Sequence, residues 1–209
     1  AESADAIAGL GVAVPVLVIP NAVGAAPAAV KRNLVVFGGA VTRRKGVDVL
    51  LSAWDSLKIS DGWELVVAGP HTERELVSNL GAGVSAPGTL AREDLRRLLA
   101  EARIAVRPSL DEAMPLFILE ALASDAAVIA TPVGGIPSVI QSSTGMLVAP
   151  DDELALSSAL TTLMRDGHRR ELLARAGRAE WQSTYSPEVV VPQLENLWLL
   201  AIDRAVSET

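Results

Sequence analysis

Between residues 33 and 148 the chain alternates short, mostly apolar runs with segments whose apolar residues recur at helical spacing. The runs 33–39, 63–69, 104–106, 127–130 and 146–148 hold almost nothing polar, and 84–88 is another brief one. A strand apolar on both faces cannot lie with one side in water. It belongs in a parallel sheet covered on both faces by its crossover helices. The spacing predicts those helices over 45–57, where Val47, Leu50, Leu51 and Trp54 share a face, and over 72–80, 91–102 and 115–124. A helical turn is predicted at 137–141, then three helices over 152–165, 168–185 and 187–204, with Pro192 placed to kink or restart the last. Right-handed crossovers turn this order into an α/β, doubly wound, Rossmann-like sheet. Residues 1–24 read as a short helix, a strand and a connector, and Pro20 and Pro27 mark a boundary. The predicted division is 1–27, 28–186 and 187–209.

In such a sheet a ligand sits beyond the carboxyl ends of the strands. The loops to inspect are therefore 38–46, 69–72, 88–90, 107–114 and 131–135. The net charge of −7 argues against a nucleic-acid partner. Basic residues nevertheless crowd into Arg43-Arg44-Lys45, as a loop holding a small anion would require. With no cysteine and two distant histidines, His71 and His168, disulfides are excluded and no metal site is expected. The longest apolar run, 11–20, is too short to span a bilayer and is broken by Pro15, and acidic residues 1–5 are unlike a secretory leader.

The segment 108–123 carries the strongest local chemistry. Pro115 suits the first residue of a helix, where a missing N–H costs nothing. The residues after it are apolar all round, except for Glu120 in the middle. A carboxylate there is costly unless it is hydrogen-bonded or lines a cleft. Glu112 lies just before the helix, and the free N–H groups near Leu116 and Phe117 form a ready phosphate site. A buried ion pair for Glu120 and a solvated turn for Glu112 account for both acids equally well. A solvated basic turn is the commoner reading of 43–45. That loop is neither a Walker A sequence nor a dinucleotide fingerprint.

Taken with its surroundings, the segment resembles glycosyltransferase family 4, whose members carry two glutamates separated by seven residues. Glu112 and Glu120 match that spacing, and Ser109, Pro115, Leu116, Leu119, Ala121 and Ala123 match the context. The stretch 36–51 is similar to the family's Gly-Arg-Leu-x-x-x-Lys-Gly motif, with Lys45-Gly46 aligned and Ala40 where the family has arginine. The stretch 130–140 resembles the Gly-Gly-x-Pro motif through Gly134 and Gly135, and 88–95 resembles the segment beside the base. Ser138, Asp125 and Ala127 depart from the family's residues.

The resemblance implies the C-terminal, donor-binding half of the B-type glycosyltransferase fold (GT-B). Residues 1–27 would be a linker and a remnant of an N-terminal domain, and 187–209 a helix that crosses back to it or packs only on its own domain. The implied reaction is metal-independent, anomer-retaining transfer of a hexose from a nucleoside diphosphate sugar, with no cofactor and no activity for the half alone. By resemblance Glu112 meets the donor sugar, Lys45 the diphosphate and Glu120 the ribose. Gly39, Arg44, Gly88, Leu90 and the stretch Met114, Pro115, Leu116 and Phe117 complete the donor site, with Arg44 or Arg43 standing in for the arginine absent at Ala40. A cytoplasmic bacterial protein is implied, with the inner face of the plasma membrane as the place where many relatives work peripherally. A non-catalytic nucleotide-sugar-binding module, a nucleotide-sugar epimerase and a purely structural domain are the rival readings.

Overall fold

The computed structural model describes residues 17–57 and 62–207. Among them the strands are β1 (Arg32–Gly38), β2 (Glu64–Ala68), β3 (Val84–Gly88), β4 (Ala102–Arg107), β5 (Ala127–Ala130) and β6 (Gly145–Leu147). They form one sheet in the order β3-β2-β1-β4-β5-β6, with every pairing parallel. The helices are α1 (Val47–Ser56), α2 (Arg92–Glu101), α3 (Leu116–Ala123), α4 (Glu153–Arg165), α5 (Gly167–Glu180) and α6 (Pro187–Ser207). The doubly wound α/β arrangement is the one the alternating pattern predicts.

Side-chain alternation along β1 divides the core. Leu34 and Val36 face a layer with Leu99 of α2 and Ile118 and Leu122 of α3. Val35 and Phe37 face the opposite layer, with Leu50 and Trp54 of α1 and Leu160 of α4. Both faces of β1 are therefore dry, which is why its sequence shows no polar alternation.

The chain leaves β1 outward to β2 and β3, then returns to lay β4 on the other side of β1. At this reversal the chain continues from β1 and from β4 through loops to helices on opposite faces, the point at which sheets of this kind bind ligands. The two loops are tied together where Leu110 donates its N–H to the Arg44 carbonyl at 2.9 Å.

Some elements differ from expectation. The helix over 72–80 is only a one-turn helix, Arg74–Val77, with no fully buried residue, because only Leu76 and Val77 of it pack on the core edge. The helix over 168–185 ends at Glu180 and widens into a π-helical turn, Trp181–Tyr185, that turns both aromatic residues inward. The Trp181 indole donates to the Val23 carbonyl at 2.8 Å, and the Val23 N–H to the Tyr185 carbonyl at 3.0 Å. Val23, in the expected connector, is thus buried in the core. No strand or helix occurs over 17–31, and the helix and strand expected nearer the start fall on 1–16, outside the described residues. Pro192 lies inside α6 without ending it. Val190 buries the first turn of α6 against its own domain, while Val191, Leu194, Leu197, Trp198, Leu200 and Ile202 are exposed. Among the described residues no helix is long and apolar enough to cross a membrane.

Candidate active site

Lys45 closes a one-turn helix, Arg43–Lys45, that follows β1 and is capped by the Thr42 hydroxyl, which accepts the Lys45 N–H at 3.3 Å. The cap turns the lysine stem inward, so its side chain is only 10% exposed. Its Nζ donates to Glu112 Oε1 at 2.7 Å and to the Asp111 carbonyl at 3.3 Å. Arg107, the last residue of β4, reaches the same carboxylate oxygen from the other side through Nε at 2.8 Å and Nη2 at 2.6 Å. Ser109, fully buried, donates its hydroxyl at 2.8 Å. The remaining Arg107 nitrogen, Nη1, donates to the Gly38 carbonyl, and its guanidinium lies over the rings of Phe37 and Phe117.

Burial pushes the Glu112 carboxyl upward. The Lys45 ammonium, the Arg107 guanidinium and the Ser109 hydroxyl together outweigh that and hold it below the usual carboxylate range. Burial in turn lowers Arg107, opposed by Glu112. Two cations against one carboxylate leave one positive charge in excess, at the end of the sheet where a ligand is expected.

Arg107 was not singled out from the sequence, although its loop was. The available signal was a charged residue closing the otherwise apolar run Ile104-Ala105-Val106, directly before Pro108-Ser109. Its guanidinium occupies the space beside Gly39, where an added Cβ would collide with it. The second buried cation beside Ala40 is therefore Arg107. Arg43 pairs outward with Asp48 at 3.0 Å and with Glu73. Arg44 pairs with Asp111 at 3.2 Å on the rim, both side chains well exposed.

Pro115 is the N-cap of α3, one position earlier than expected, and Leu116 is its first residue. Ile118 is the first to donate back, to the Pro115 carbonyl at 3.1 Å, so the N–H groups of Leu116 and Phe117 have no intrahelical acceptor. Leu116 is half exposed, Phe117 is buried against the Arg107 guanidinium, and Met114 packs on the core edge. Glu120 follows Phe117 on the same helix face, about 4.5 Å farther along the axis. Its side chain is 12% exposed, and its nearest cation is Arg92 of α2 at 3.9 Å. Burial raises its carboxyl, with Arg92 and Arg96 opposing. Gly88 ends the edge strand β3 and accepts the Gly69 N–H at 2.8 Å, and Leu90 packs half-buried against the α2–α3 layer.

The glycine pair after β5 braces the Glu112 loop. Gly135 donates to the Ala113 carbonyl at 2.6 Å. Gly134 has φ +53°, and a Cβ there would run into the Glu112 carbonyl.

The family described as Glycosyl transferases group 1 matches residues 31–166, from just before β1 to the end of α4. The chain belongs to this family. Sulfoquinovosyl transferase SQD2 of Arabidopsis thaliana is 31% identical over 156 residues, 72% of this chain and 30% of that protein. Sucrose-phosphate synthase of Thermosynechococcus elongatus superposes with a TM-score of 0.75 at 27% identity, over 96% of this chain and 49% of that one. The C-terminal domain of the glycosyl transferase group 1 protein LpcC of Francisella tularensis gives 0.68 at 27% identity, over 75% and 88%. The chain spans less than half the length of the curated relatives it matches.

For a group 1 glycosyltransferase, the fold is the Rossmann-like half of a GT-B structure, as the resemblance implied. The basic loop and the paired-glutamate segment, read separately in the sequence, meet through the Lys45–Glu112 contact.

Proposed function

We propose that the chain is the donor-binding half of an anomer-retaining glycosyltransferase that transfers a hexose from a nucleoside diphosphate sugar. The observation that carries this reading is the buried Lys45–Glu112–Arg107 cluster, with its excess positive charge beside the open amino end of α3. The diphosphate lies between the Lys45 ammonium and the N–H groups of Leu116 and Phe117, where the helix dipole adds to the attraction. Charge that develops on the leaving diphosphate meets donors already in place, and the step needs no metal. Glu112, ionised and fixed in orientation by Arg107 and Ser109, accepts hydroxyl hydrogens of the donor sugar. Glu120, one helical turn farther, accepts the two ribose hydroxyls. Gly88 and Leu90 lie toward the base. The acceptor site belongs to an N-terminal GT-B domain that closes on this one.

Isothermal titration with a panel of nucleoside diphosphates and their sugars tests the reading, on the parent protein and on Lys45→Ala and Glu120→Ala. Saturable binding of one base is expected, weakened about ten-fold or more by either substitution, because each removes a charge-assisted contact. Binding of none of them would reject the donor site. The absence of arginine at Ala40 favours a second reading, a module that binds without transfer. Donor binding with no transfer, after an N-terminal half is supplied, would select that module.

A further inference from the structure

The amino ends of the strands carry a second charged cavity, apart from the donor crevice. It measures about 290 Å³ and is lined by Lys31, Arg103, Asp125, Arg170, Glu171 and Arg175, with Ala174 at its wall. Lys31 immediately precedes β1, Arg103 is the second residue of β4, Asp125 lies in the turn before β5, and the others project from α5. Arg103 and Arg107 share one strand, and four residues of it separate the two sites by roughly 13 Å.

Arg103 is the anomaly. Its Nε is buried and has no hydrogen-bond partner, and among the described residues no carboxylate lies within ion-pair distance of its guanidinium. Its charge acts on two neighbouring cations, Lys31 and Arg170. A buried guanidinium N–H without an acceptor is costly, and like charges beside it add to the cost.

The neighbours do not relieve this. Lys31 spends two protons on the carbonyls of Ala102 at 2.7 Å and Ser124 at 2.6 Å. Burial pulls its ammonium down to about 8, Asp125 opposes, and Arg103 and Arg178 push further down. Buried Arg170 donates to the Leu163 carbonyl at 2.6 Å at the end of α4 and lies over the Trp63 ring. Those bonds are to neutral carbonyls, and Glu171 and Asp166 offset its charge only in part, since burial and Arg103 hold its guanidinium below the usual range. Arg175, on the exposed rim, holds Glu171 at 2.7 Å. Four cations face two carboxylates, in a protein whose net charge is −7.

We propose that this cavity is a second anion site, which binds the phosphate group of a small phosphorylated molecule or free phosphate. The oxygens face the Arg103 guanidinium and Lys31, with Arg175 swinging in from the rim. The volume is at the lower edge of ordinary ligand clefts. It accommodates a phosphate with a body the size of one sugar ring, and is too small for a nucleoside diphosphate sugar.

Arginine side-chain NMR on the intact protein tests this by following the Arg103 Nε–H resonance, assigned by its loss in Arg103→Lys. The probes are inorganic phosphate and glucose 6-phosphate, with chloride at matched ionic strength as the control. A saturable shift with at least one phosphate probe is expected, retained in Lys45→Met. Arg175→Glu, a rim change that leaves the core packing alone, is expected to weaken it about ten-fold or more. Tighter binding of the ester identifies a phosphorylated metabolite, and equal or weaker binding identifies free phosphate. A drift no larger than that in chloride overturns the proposal. So does calorimetric phosphate binding that survives Arg103→Met at full affinity and vanishes in Lys45→Met, since the anion then sits at the donor site.

Discussion

Glu112 and Glu120 are held by opposite balances of the same two forces. At Glu112, Lys45, Arg107 and Ser109 outweigh burial, so the folded carboxyl titrates below its unfolded range. Its stabilising contribution is present above that range and is lost as pH falls through the folded value. Arg107→Met breaks this arrangement and strands a buried charge. It is expected to cost about 3 kcal/mol at neutral pH. Urea unfolding followed from about pH 7 to about pH 3 should show the gap to the parent closing as Glu112 protonates. At Glu120 burial wins over Arg92 and Arg96, so the folded carboxyl titrates above its unfolded range. Its contribution is fully present below the unfolded value and is lost as pH rises through the folded one. Glu120→Gln is therefore expected to gain stability at neutral pH while weakening donor binding about ten-fold or more. Unchanged donor affinity by titration calorimetry would contradict the assignment of Glu120 to the ribose, and a loss of stability on denaturation would contradict the balance in favour of burial.

At the scale of elements, three separate loops make one site, and each is held by backbone contacts. The loop after β1 meets the loop after β4 through the Leu110–Arg44 hydrogen bond, and the turn after β5 presses on Glu112 and Ala113. Gly134→Ala puts a Cβ into the Glu112 carbonyl at a positive φ. A loss of about 1–3 kcal/mol is expected. Donor affinity should fall as well, because the displaced carbonyl belongs to the residue that carries the carboxylate. Retained affinity in the folded variant, measured by calorimetry, would show that the brace is not needed. The glycine pair was visible in the sequence as a tight turn. Its contact with the Glu112 loop was not, because the two segments lie more than twenty residues apart and meet only when β4 and β5 pair. Arg107 was overlooked for the same reason: a basic residue closing an apolar run gains meaning only when Glu112 folds back over it. The helix expected over 72–80 shrinks to one turn because Leu76 and Val77, packed on the core edge, are too few to hold a longer one.

For the molecule as a whole, α6 carries the open question. Leu194, Leu197, Trp198 and Leu200 stand exposed along a helix whose first turn is buried through Val190. An exposed apolar stretch of this kind marks an interaction surface. Alone in solution the chain is expected to self-associate with rising concentration. The double variant Leu194→Ser, Trp198→Ser is expected to reduce this without a change in core stability. Sedimentation velocity at several concentrations checks it, and a parent that stays monomeric throughout would show that the stretch is not adhesive.

By itself the sequence determined the layering of this protein: runs dry on both faces can only be central parallel strands, and their order with the helices leaves a doubly wound sheet. It also determined which short segments hold charge at the ends of those strands. Only the tertiary structure decided which charges meet, because the free energy of a buried ion depends on groups brought close from distant parts of the chain. Lys45, Arg107 and Glu112 become one cluster, and Arg103 is left with no ion-pair partner among the described residues, through the same crossing of β4 beside β1.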